Sequence, residues 1–138
     1  MIEVIFAAHG LAAPGMQDSV EMVMGAQPHL HTLSLTHDEG IEVFREGLTH
    51  LIHRLQKDTR RDILILTDMP AGTPYNVSVQ LSLANPAISV VAGANFPMVL
   101  TALDQADMPL EELTRHVIEI GKEAIHRFIE STSAQEDF

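Results

Sequence analysis

One histidine closes the first apolar run of the chain, in Ile2-Glu3-Val4-Ile5-Phe6-Ala7-Ala8-His9-Gly10. Such a run reads as a strand, and Gly10 behind it permits turn conformations that side chains with a Cβ avoid. His9 therefore stands at the carboxyl edge of a sheet, where ligands meet open α/β folds. Its imidazole can exchange protons, metal or a phosphoryl group near neutral pH. Asp68 occupies the equivalent place after a second apolar run, in Leu66-Thr67-Asp68-Met69-Pro70-Ala71-Gly72-Thr73-Pro74. If the two strands are neighbours, the carboxylate fixes the tautomer of the imidazole and leaves the other ring nitrogen as a nucleophile. Gly72-Thr73-Pro74 reads as a helix start, with Thr73 as cap and Pro74 at the first helical position. Free amides there would bind a phosphoryl oxygen. Taken singly, His9 also fits a polar turn residue and Asp68 a turn former ahead of Pro70.

Two further histidine pairs carry the spacing of metal ligands: His29 and His31 near a strand start, and His50 and His53 three apart on a helix. Neither pair has a third ligand at diagnostic spacing, so both are expected to be structural or solvent-facing, and no metal site is expected. The chain lacks G-x-G-x-x-G, G-x-x-x-x-G-K-[ST] and G-x-S-x-G, the fingerprints of dinucleotide binding, P-loop chemistry and the hydrolase elbow. It has no cysteine, which removes disulfides and thiolate catalysis and fits a cytoplasmic protein. A formal net charge of −11 works against nucleic acid and anionic lipid as partners. Arg54, Lys57, Arg60 and Arg61 form the one basic cluster, either a solvated helix end or a docking patch for an acidic partner. No secretion signal or membrane span is expected, because the most apolar stretch, 88–103, is interrupted by Asn95 and Pro97.

The elements that must hold these residues follow from the period of the apolar positions. Strands are expected at Ile2–Ala8, His31–Leu35, Asp62–Thr67 and Ile88–Ala92. Helices are expected at Pro14–Gly25, from Asp38 to about Lys57, at about Pro74–Ala84, at Pro97–Ala106 and at Leu110–Phe128. Alternation of this kind predicts an α/β domain, doubly wound, with a mainly parallel sheet and helices on both faces. At 138 residues the chain fits a single domain, taken as 1–130, with a polar and flexible tail at 131–138.

Three strand ends together resemble a known family. The first is His9-Gly10 with Ala12, Ala13 and Gly15-Met16. The second is Leu66-Thr67-Asp68 with Gly72-Thr73-Pro74-Tyr75-Asn76. The third is Val91-Ala92-Gly93-Ala94-Asn95-Phe96-Pro97-Met98. In order and spacing they are similar to the EIIA component of the mannose family of the bacterial phosphoenolpyruvate-dependent sugar phosphotransferase system, over Met1 to about Phe128. The resemblance implies a phosphoryl relay in which His9 accepts a phosphoryl group from the phosphocarrier HPr and passes it to the EIIB component, Asp68 orients His9, and no cofactor is needed. It further implies a homodimer with an exchanged antiparallel edge strand, whose position the sequence does not give. A regulatory module of the same fold and the dihydroxyacetone kinase phosphoryl-transfer subunit are the alternatives. One departure is visible: family loops often carry two glycines before Ser or Thr and Pro, and here Ala71 stands at the first.

Overall fold

The computed structural model describes residues 1–130; the predicted tail, 131–138, lies outside the described residues. In chain order the elements are β1 (Glu3–His9), α1 (Ala12–Met24), β2 (Leu30–Leu35), α2 (Ile41–Leu55), β3 (Ile63–Thr67), α3 (Gly72–Leu83), β4 (Ile88–Val91), α4 (Phe96–Asp104) and α5 (Leu110–Glu123). The strands lie in the order β2-β1-β3-β4, and every pairing is parallel.

β1 and β3 are the central strands, and side-chain alternation divides their residues between two cores. Val4, Phe6, Ala8, Leu64 and Leu66 face Val20 of α1, Val99 and Ala102 of α4, and Leu113 and Val117 of α5. Ile5, Ala7, Ile63 and Ile65 face Phe44, Leu48 and Ile52 of α2 and Val77 of α3. Coverage on both faces is why these strands read as unbroken apolar runs. After β2 the chain crosses back over β1 to place β3 on its other side. The strand order therefore reverses between β1 and β3, and their carboxyl ends open onto the crevice where this fold class binds its ligands.

Several boundaries differ from the sequence reading. α1 begins two residues before Pro14, which is tolerated in a first turn because no intrahelical N–H bond is required there. Val23 of this helix is exposed. α2 opens at Ile41 after Gly40, and Ile41 itself is exposed. α3 starts at Gly72, so Thr73 is not its cap and Pro74 is not its first residue. The largest difference is α5, which ends at Glu123 rather than Phe128. Its buried residues are Leu113, Val117 and Gly121, and every residue from 122 to 130 is exposed. Without a buried face, helical propensity alone does not extend the last turns.

Candidate active site

His9 is the last residue of β1, and Asp68 follows the last residue of β3. The register that pairs Ala7 with Thr67 sets the two strand ends side by side. His9 Nδ1 lies 2.8 Å from Asp68 Oδ2, and the His9 backbone N–H donates to the same oxygen at 3.0 Å. One carboxylate oxygen thus holds both the ring and the main chain of the histidine. Burial alone would raise the Asp68 carboxyl, but the hydrogen bonds from the His9 backbone and ring, with electrostatic attraction to that ring, outweigh it and hold the group below its ordinary range. A carboxylate facing Nδ1 leaves Nε2 as the outward nitrogen. The His9 side chain is 42% exposed against 24% for Asp68, so the ring is open to an incoming group while its anchor is shielded.

The ring lies against the start of α3. A Cβ on Gly72 would sit 3.2 Å from His9 Cε1 and 3.4 Å from Nε2, and Gly72 has φ +81°. Close approach and backbone angle both call for glycine here. No side chain caps this helix start, and Pro74 has no N–H, so the amides of Gly72 and Thr73 are the donors at the helix end nearest the ring. Ala71, the cap position, has φ 65° and ψ 178°, a conformation that alanine adopts only under strain. The sequence pointed to Ala71 as a departure but not to its geometry. It gave no signal for Leu11 and Met69, apolar side chains that flank His9 and Asp68 in the chain and are exposed.

The remaining marked residues lie elsewhere. Asn95 caps α4 by accepting from the Met98 N–H at 3.3 Å, and its amide donates to the Gly121 carbonyl at 3.1 Å, tying α4 to α5. His29 Nδ1 and His31 Nε2 lie 2.7 and 2.8 Å from the two oxygens of Glu3, at the opposite end of the sheet. Arg61 Nη1 donates to the same carboxylate at 2.7 Å. One ring nitrogen of each histidine in that pair is engaged by a buried carboxylate. His50 and His53 are exposed on α2.

Residues 3–118 match the family model described as PTS system fructose IIA component, a span that includes all four candidate residues. The chain is 32% identical to the sorbose-specific EIIA component of Lacticaseibacillus casei, over 99% of both chains. It is 28% identical to the mannose-specific EIIAB component of Escherichia coli K12, over 90% of this chain and 38% of that protein. Its fold superposes on the crystal structure of phosphotransferase system component EIIA from Streptococcus agalactiae with a TM-score of 0.82 at 30% identity, over 92% of this chain and 97% of the other.

The chain belongs to the mannose-family EIIA components. Members are phosphotransferases that relay a phosphoryl group by way of a histidine, and this EIIA component is such a relay subunit of a sugar phosphotransferase system. Among the described residues no helix of this EIIA component is long and apolar enough to cross a membrane.

Proposed function

We propose that His9 is the residue that carries the phosphoryl group, taking it from the phosphohistidine of HPr and giving it to a histidine of EIIB. The observation that carries this reading is the 2.8 Å contact of Nδ1 with Asp68, which leaves Nε2 at the open edge. In the acceptor step the Nε2 lone pair attacks phosphorus, the P–N bond of the donor phosphohistidine breaks, and the donor ring recovers its lone pair. The His9 ring, protonated on Nδ1 throughout, becomes cationic as the new P–N bond forms, and the Asp68 carboxylate balances that charge. Phosphoryl transfer passes through a loose transition state with charge on the equatorial oxygens, so alignment and electrostatics dominate. The Gly72 and Thr73 amides supply donors for those oxygens. Donation to EIIB is the same step in reverse.

A cytoplasmic homodimer completes the reading. Supporting it is the segment after α5, in which Ile125, Phe128 and Ile129 are all exposed. Beside it, β4 hydrogen-bonds to β3 and to no other strand among the described residues. A cavity of about 190 Å³ runs between the two, lined by Val91, Ile118 and Ile125. An apolar segment from a second copy laid along β4 would satisfy its open edge and cover this surface. The relatives are named for different sugars, sorbose and mannose, as fits a subunit that meets protein partners rather than sugar.

The test is incubation with phosphoenolpyruvate, enzyme I and HPr, followed by mapping of the acid-labile adduct by mass spectrometry. The phosphoryl group is expected on His9, and none on a folded His9→Ala variant. Stable labelling of that variant would overturn the assignment.

A further inference from the structure

Half of the chain's eight Lys and Arg residues, Arg54, Lys57, Arg60 and Arg61, fall in one stretch of an otherwise acidic chain. The structure divides their work. Arg61 neutralises buried Glu3. Arg54 lies in the last turn of α2, where a cation complements the helix dipole. Lys57 and Arg60 lie beyond the Gln56 cap, outside that last turn. Arg45, Arg115 and Lys122 each pair with a carboxylate, whereas Lys57 and Arg60 pair with none among the described residues.

Both line a groove of about 480 Å³, together with Thr49, His53, Gln56 and Asn85. Its walls are joined by hydrogen bonds: Arg60 Nη2 donates to Asn85 Oδ1 at 3.3 Å, Asn85 Nδ2 to Gln56 Oε1 at 2.9 Å, and Gln56 Nε2 to the Arg61 carbonyl at 2.8 Å. Asn85 Oδ1 also accepts the Ala87 N–H at 3.2 Å. The amide oxygens are thus engaged within the network. What remains toward the groove is the second N–H of each amide, the other guanidinium N–H groups, the Lys57 ammonium, the Thr49 hydroxyl and the His53 ring. Ile52 forms an apolar part of the lining, and the cations and donors stand around it, with two amides and a guanidinium joined by the hydrogen bonds above.

We propose that this groove binds a small polyanion, a phosphorylated or polycarboxylate metabolite. The volume is of the size that takes such a molecule, and charge-assisted hydrogen bonds to the Arg60 guanidinium and the Lys57 ammonium supply the affinity. The groove lies before β3 and β4, at the amino edge of the sheet, about 16 Å of strand away from the edge that carries His9. A bound anion therefore leaves His9 free for its protein partners.

Calorimetric titration of the full chain with pyrophosphate and, separately, citrate at constant ionic strength tests the proposal. Saturable binding of at least one is expected, and the tighter arm identifies phosphate or carboxylate chemistry. The Lys57→Gln/Arg60→Gln variant, its fold checked by circular dichroism, is expected to bind about tenfold more weakly. An Arg115→Gln/Lys122→Gln variant, which removes the same charge elsewhere, is expected to bind as the parent does. Should the double variant fail to fold, Lys57→Gln alone is expected to weaken binding about threefold. Absence of saturation with both anions, or equal weakening in the control variant, would overturn the proposal.

Discussion

Asp68 does two things with one oxygen, and a single substitution separates them. In Asp68→Asn an amide oxygen can still accept from the His9 backbone and ring, but it no longer balances charge that develops on the imidazole. The variant is expected to fold and to accept phosphoryl groups from phospho-HPr at least about tenfold more slowly in rapid-quench experiments. A folded variant with the parent rate would reduce Asp68 to a turn former. Ala71 makes a different prediction. Its φ of 65° with ψ of 178° is territory for glycine and costs alanine about 1–3 kcal/mol. Glycine gains more freedom than alanine on unfolding, which offsets about 0.5–1 kcal/mol of the relief. Ala71→Gly is therefore expected to stabilise the protein by about 1 kcal/mol, read as a higher urea midpoint.

At the level of elements, the sheet is secured at each end by a carboxylate with histidine partners. Asp68 ties β1 to β3 at the carboxyl edge. Glu3 ties β1 to His29 and His31 of the second strand region and to Arg61 before β3, at the amino edge. Glu3 is only 2% exposed. Burial would raise its carboxyl, but the hydrogen bonds from His31, His29 and Arg61 prevail and lower it from the ordinary 4.5. A carboxylate lowered on folding contributes stability that is present above its unfolded value and lost as pH falls through its folded value. The parent should therefore lose stability as pH falls below about 4.5 more steeply than Glu3→Gln does. Near neutral pH that variant should be less stable by about 2 kcal/mol, since the charged hydrogen bonds go while their partially exposed donors recover water. Urea denaturation at a series of pH values measures both; parallel curves would show that Glu3 is not held ionised by its neighbours.

For the whole molecule, the question is what covers the open side of β4 and the apolar residues after α5. If two copies cover each other, light scattering over a dilution series should give twice the 15.2 kDa chain mass. Phe128→Ser with Ile129→Ser should shift the equilibrium toward the monomer, since burying each such side chain contributes about 1.5–3 kcal/mol. A monomeric mass for the parent at every concentration, with His9 still phosphorylated, would show that the relay operates without a dimer.

The alternation of apolar periods, the unbroken runs of β1 and β3 and the stripe of α2 were readable from the chain, because burial on two faces or one leaves a periodic mark in residue type. His9 and Asp68 were readable as strand-end residues for the same reason. Their meeting was not, since it depends on β3 lying against β1 rather than beyond β2, a choice made by packing between residues about 60 apart in sequence. The use of His29 and His31 on buried Glu3 likewise arises from parallel register, which no local spacing encodes. The end of α5 was misread because Ala124 and Phe128 continue the helical period, while the surface that would have buried them is absent from the chain's own core. Periodicity records which faces are apolar; which surface covers each face is decided only when the chain, or a second copy of it, comes together.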